Sequence, residues 1–299
     1  MAESVTFQGE DVFLISNEDS HAWIAPQYGA RLLRWSIAGQ ELIVWPKNAD
    51  FEKVNKVRGG NPILFPFIAR HMVNSEIGLW NDGNQVRSMP MHGFARDMPF
   101  EVVKSSDTSL TMRLVDNKET QPYYPFSFVF DVTYSLNKNR ELRVSLKVEN
   151  HSDVAMPYYS GHHFYFNVPH QDRSNWHIKI PCTQTARQKP DGNIVFNSKT
   201  MVESSFADES IIDRMHIMDK PNPIQFGNVN KGPRFRIRLD HPQTVPWGAV
   251  TTWTQTPESD FYCVEPWTGL PNAIHHRHGL RWLNPRETEE AICKIDVEI

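Results

Sequence analysis

The sequence predicts an all-β protein, built as a large antiparallel β-sandwich. Three observations carry this. Wherever a hydrophobic period can be read it is two residues, the period of a strand that buries one face. No window of helical length carries a 3.6-residue apolar stripe, and the 21 prolines interrupt most candidate helices. The strand-like runs follow one another through turn-rich loops without helices between them, which points to antiparallel sheets stacked face to face and not to a doubly wound α/β sheet.

Along the chain, Leu110, Met112 and Leu114 give the first clear alternation. Phe126, Phe128, Phe130, Val132, Tyr134 and Leu136 give the next, and after Asn137-Lys138-Asn139-Arg140 the pattern resumes in Leu142, Val144, Leu146 and Val148. Those two runs read as one long hairpin. Phe235, Ile237 and Leu239 alternate with Arg234, Arg236 and Arg238, and Cys293, Ile295, Val297 and Ile299 form a final strand. Residues 46 to 100 read as irregular, with Arg58-Gly59-Gly60-Asn61-Pro62 and Pro66, Pro90 and Pro99 within them. A long irregular stretch inside a compact domain is often functional. No internal repeat or linker is evident, so residues 1–299 are expected to form a single domain.

Composition narrows the function. With 39% hydrophobic and 22% charged residues there is material for a sizeable core. The 31 basic and 35 acidic side chains give a net charge of −4, so no positive field is present to hold a nucleic acid backbone. Cys182, Cys263 and Cys293 are odd in number and scattered, with no disulfide framework and no CxxC spacing. The start carries no basic end with an apolar block, and no stretch approaches the ~20 apolar residues of a membrane span. The expectation is a cytoplasmic protein, monomeric or homodimeric, with a small molecule as partner and no cofactor.

Four stretches join polar or titratable residues to aromatics: Asn61 to Arg70 (NPILFPFIAR), Met91 to Arg96 (MHGFAR), Gly161 to Pro169 (GHHFYFNVP) and Cys263 to Asn272 (CVEPWTGLPN). Gathered on one sheet face they supply histidines, a carboxylate, arginines and flat aromatic surface. A pyranose, with hydroxyls to hydrogen-bond and an apolar face to stack, requires this mixture. His163, between two strand-like regions and held against aromatics, is read as a proton donor. Glu265, between Val264 and Pro266-Trp267, has the apolar neighbours that raise a carboxylate's pKa and make it a stronger base; the alternative is a structural ion pair with an arginine.

His92 taken singly is a structural histidine, although its turn can face a ligand. His162 is read as a core neighbour of His163. Arg70 and Arg96 are either surface residues or forks for hydroxyl, phosphate or sulfonate oxygens. His275-His276-Arg277-His278 reads as a solvated loop, since no carboxylate or cysteine stands at metal-ligand spacing beside it; no metal is expected. Trp80, Trp247, Trp253 and Trp282 are assigned to the core, and Trp267, next to the candidate base, to the site. No phosphate-cradling glycine loop and no GxSxG elbow is present.

MHGFAR, GHHFYFNVP, Ile212-Asp213-Arg214 and CVEPWTGLPN occur in an order that resembles the galactose mutarotase-like superfamily, the aldose 1-epimerases and their hexose-6-phosphate relatives. The resemblance covers roughly residues 25 to 299 and implies a β-supersandwich with the sugar in an open cleft on a concave sheet. It implies an isomerase that opens the ring by acid–base chemistry, with His163 as the acid at the ring oxygen and Glu265 as the base at the anomeric hydroxyl. It further implies that His92, Arg70 and Asp213 hold the substrate, while Arg96 belongs to the HGFAR form of its motif. Phe164 departs from the proline usual after the family's catalytic histidine, and Met91 stands where many hexose-6-phosphate relatives have glutamine. The two proton-transfer groups are expected to face each other across a pocket wide enough for one pyranose. A neutral aldohexose is the default substrate and an anionic hexose the alternative. A non-catalytic carbohydrate-binding module is the competing class.

Overall fold

The structure is a computed structural model that describes residues 1–198, 201–218, 223–240 and 246–299. Among these residues every paired strand is antiparallel, and two large sheets dominate. The hairpin is present as Phe128–Asn137 and Glu141–Asn150, in unbroken register from Phe128 opposite Asn150 to Asn137 opposite Glu141. It begins two residues later than the alternation suggested, leaving Phe126 just outside. The hairpin sits inside a nine-stranded sheet. Ser109–Val115 and Glu101–Ser106 extend it on one side; Thr288–Glu298, Arg234–Asp240, Ile224–Asn228, Trp176–Pro181 and Met201–Ser205 extend it on the other.

The second sheet has eight strands, with Phe261–Trp267 near its middle and Ala249–Trp253, Gly161–His162 and Phe164–Asn167 beside it. A five-stranded meander from Glu3 to Glu41 is tied to this sheet through the bridges Leu32 to Asn61 and Ile43 to Phe166. Phe130, Val132, Tyr134 and Leu146 of the first sheet and Ile63, Phe164, Tyr262 and Val264 of the second belong to one core cluster. Each such side chain taken from water contributes about 1.5–3 kcal/mol, which is what holds the layers face to face. Phe65 stacks on Phe130 at 4.2 Å between ring centres, so the loop that follows Asn61 is pinned to the hairpin.

Several expectations change. Gly161 to Pro169 does not lie between strands; it supplies the strands Gly161–His162 and Phe164–Asn167. Its side chains are buried on both faces, so it shows no alternation. The stretch 46–100 is mostly loop but contains short strands such as Leu79–Asn81 and Val86–Ser88. Among the described residues the one α-helix is Ala273–His276, four residues that include two members of the histidine run. Trp80 and Trp247 are core residues as expected, but Trp253 is only half-buried and lines a cleft, and Trp282 is 53% exposed on a short strand paired with Met156–Tyr158. Among the described residues no helix is long and apolar enough to cross a membrane.

Candidate active site

Strand Phe261–Trp267 is buried along its whole length, and alternation divides its side chains. Tyr262 and Val264 join the main core, while Phe261 and Cys263 pack with Tyr165 in a separate cluster on the opposite face. Glu265 belongs to that second face. The register fixes its neighbour: Gly161 is opposite Trp267 and Phe164 is opposite Val264, so His163 falls opposite Glu265. His163 Nε2 lies 3.6 Å from Glu265 Oε2. Both side chains form part of the wall of a cleft of about 310 Å³.

The two groups therefore stand side by side on one sheet face, not across a sugar-wide gap, and 3.6 Å leaves no room for a ring between them.

His163 is held from every side. Its ring stacks on Tyr165 at 4.7 Å with an 8° tilt and meets Trp253 edge-on at 5.8 Å. Its main-chain N–H donates to Asn61 Oδ1 at 2.9 Å. Asn61, fully buried, also donates to Tyr134 Oη and contacts His162 Nδ1, each at 3.2 Å, so His162 is the core neighbour that the sequence suggested. Asn61 thus links three segments; only its place in NPILFP marked it beforehand. Gly60 beside it has φ +72°, and a Cβ there would stand 2.3 Å from the Leu32 carbonyl oxygen.

Of the other residues singled out, His92, Arg70, Asp213 and Trp267 line the cleft and Arg96 does not. His92 has φ 69° in a turn where Gly93 must be glycine, since a Cβ would meet the Phe65 carbonyl oxygen at 2.1 Å. The Ala69 N–H donates to His92 Nδ1 at 3.2 Å, which leaves the proton of the neutral ring on Nε2. Arg96 is half-buried, with Nε 3.7 Å from the Asp97 carboxylate. The 3-10 turn Ala95–Asp97 carries it there.

Arg58 was missed, and it lines the cleft with its guanidinium 5.5 Å from the ring centre of Trp253. Its loop is clamped from beneath by Arg31, which is 1% exposed and donates to the carbonyls of Val54 (2.6 Å), Val57 (2.8 Å) and Gly59 (2.8 Å).

Burial sets the charges. Desolvation lowers the His163 pKa well below 6.5, and Arg96, Arg31 and Arg58 reinforce it. Desolvation raises Glu265 well above the usual carboxylate range, and the Asp213 charge adds to this. Both groups are pushed toward their neutral forms, and between the loss of the first proton and the second the couple holds one proton in total. His92 is likewise kept neutral, first by burial and then by His163 and Arg96.

Glu265 Oε2, Trp267 Nε1, Thr251 Oγ1 and His163 Nδ1 are buried polar atoms without a well-formed hydrogen bond among the described residues. All four residues line the same cleft. Unpaired buried polar atoms are costly, and four around one cleft mark it as a place that receives a polar ligand.

A larger groove of about 740 Å³ lies on the nine-stranded sheet. Charges there pair across strands, as Arg238 does with Asp296 at 2.7 Å, and the groove has no comparable set of buried acid and base. In the histidine run His276 Nε2 meets the Pro271 carbonyl at 2.7 Å, while His275 and His278 are exposed.

An antiparallel β-supersandwich with these residues in its cleft defines a class, and the sequence match agrees with it: the chain belongs to the aldose 1-epimerase family, whose model matches residues 11–284. It is 28% identical over 163 residues to a putative glucose-6-phosphate 1-epimerase of Escherichia coli (strain K12), over 53% of this chain. That match spans about half of the relative, 49% of its length. The fold is similar to that of a galactose mutarotase-like protein from Clostridium acetobutylicum, with a TM-score of 0.82, 19% identity, and 100% and 98% of the two chains covered. It is also similar to a galactose 1-epimerase from Lactobacillus acidophilus NCFM, with a TM-score of 0.71, 15% identity, and 100% and 97% covered.

Proposed function

We propose that residues 1–299 act as one cytoplasmic mutarotase domain, an isomerase that interconverts the α and β anomers of an aldohexose. Glu265 is the base and His163 the acid. The observation that carries this is their opposition by strand register, 3.6 Å apart on the wall of a cleft.

Ionised Glu265 removes the proton of the anomeric hydroxyl as the carbonyl forms at C1. The bond from C1 to the ring oxygen breaks, and that oxygen takes the proton of His163. Rotation about the C1–C2 bond turns the aldehyde, and closure on its other face reverses both transfers. The couple holds one proton throughout: ring opening converts an ion pair into two neutral groups, and closure restores the ion pair. Because burial favours the two neutral groups, the site is electrostatically suited to the open-chain stage. His92 offers Nε2–H to a sugar oxygen, and Trp267 offers an aromatic face and an indole N–H.

The one-proton couple sets a pH profile. Acid inactivates when His163 takes a second proton, and its lowered affinity moves that limb below pH 6.5. Base inactivates when Glu265 loses its proton, and its raised affinity moves that limb well above 4.5. The acid limb of kcat/KM is expected below pH 6.5. A limb centred at or above 6.5 would describe an ordinary exposed imidazole instead.

A second reading, an anionic hexose bearing a 6-phosphate or 6-sulfonate, is favoured by Arg58 and Arg70 in the cleft wall. The name of the Escherichia coli relative points the same way. The test is anomer exchange, followed by NMR, over glucose, galactose, glucose 6-phosphate and a 6-sulfonated glucose. If the anion is recognised, Arg58→Ala raises KM for the anionic sugar by at least about tenfold and leaves glucose nearly unchanged. Equal effects on both would favour the neutral substrate. No exchange with any of the four would remove the enzyme reading.

A further inference from the structure

We propose that His163, Cys263 and Glu265 form a binding site for a thiophilic divalent cation of the zinc class, and that the cation and the sugar exclude each other. One ligand atom from each of the three residues lies within 4.8 Å of the others. This follows from the sheet: Cys263 and Glu265 are two residues apart on one strand and share a face, while His163 is opposite Glu265 on the neighbouring strand. His163, Cys263 and Glu265 are 7%, 0% and 2% exposed, so their positions are fixed by packing.

The donor set is imidazole nitrogen, thiolate sulfur and carboxylate oxygen. That mixture suits zinc or cadmium and not magnesium or calcium, which take oxygen ligands. Zinc bonds of about 2.0–2.3 Å in a tetrahedron place ligand atoms about 3.3–3.8 Å apart. The 3.6 Å between His163 Nε2 and Glu265 Oε2 already falls in that range, and the Cys263 sulfur, within 4.8 Å of its partners, needs to close in by about 1 Å at most. Among the described residues Glu265 Oε2 has no well-formed hydrogen bond to give up. A thiolate and a carboxylate neutralise a dication, so it is buried without net charge, and the fourth position opens to the cleft.

A cation on these atoms occupies both members of the proposed acid–base couple. Inhibition therefore rests on the mutarotase reading, whereas binding does not. No local spacing marks this site, because His163 and Cys263 are 100 residues apart in the chain.

The test titrates the chelator-treated full chain with zinc chloride by calorimetry, and with cadmium chloride by the ultraviolet thiolate-to-metal absorption band. One zinc per chain and a cadmium band are expected. Both weaken by at least about tenfold in Cys263→Ser or, should that variant fold poorly, in Cys263→Ala. Both persist in Cys182→Ser and in a His275→Ala/His278→Ala variant. Anomer exchange falls over the same zinc range, and the Cys263 variant, measured against its own zinc-free rate, escapes. Absence of the thiolate band, or zinc binding unchanged by loss of Cys263, overturns the site. Tight binding that leaves exchange untouched keeps the site but overturns its exclusion of the sugar; binding in a chain that turns over no sugar points to failure of the mutarotase reading alone.

Discussion

Glu265→Gln lowers anomer exchange by at least about a hundredfold, the lower end of what a positioned general base contributes. The amide keeps the carboxylate's shape but cannot take the anomeric proton. Folding is expected to survive, because burial already drives this carboxyl toward its neutral form and the amide oxygen of glutamine can still accept from the Trp267 indole N–H that the carboxyl meets. The loss falls on kcat with KM little changed, since the proton is removed only as the reaction proceeds. NMR exchange or polarimetry on the folded variant measures it. A rate near that of the wild type would reject Glu265 as the base.

His163→Ala costs at least about a hundredfold as well, by removing the proton that the ring oxygen needs. Here stability changes too. The ring leaves its stack on Tyr165 and its edge contact with Trp253, so destabilisation of about 1–3 kcal/mol is expected. Thermal melting separates this from the chemistry, and exchange is read well below the variant's Tm. The main-chain bond from residue 163 to Asn61 does not depend on the side chain, so the strand register should hold. Exchange within a few-fold of wild type would reject the acid.

The sandwich was legible where strands wet one face. Between Phe128 and Val148 the alternation gave a hairpin within two residues of its observed bounds, because one side of that sheet meets solvent and the other the core. The same logic failed for Gly161 to Asn167, which is buried on both faces and so carries no alternation. The N-terminal meander from Glu3 to Glu41 went unread; its burial pattern is irregular in the first two strands.

At the site, residue types were legible and geometry was not. The motifs named His163, Glu265, His92, Arg70, Asp213 and Trp267, and all six line one cleft. That His163 and Glu265 are neighbours follows only from the pairing of strands about a hundred residues apart, which no local pattern encodes. Arg58 was invisible because its reach depends on Arg31, an ordinary strand residue by sequence, holding three carbonyls of its loop. Arg96 looked equivalent to Arg70 until the turn carried it toward Asp97, where it acts on His163 through charge.

The most direct test is a double-mutant cycle on anomer exchange, comparing Glu265→Gln, His163→Ala and the two together. Proton transfers made by one couple in a single concerted step lose nearly everything with either member, so the double variant should fall little further than the single ones. Losses that multiply would contradict a shared couple, and near-normal exchange in the double variant would place the chemistry elsewhere.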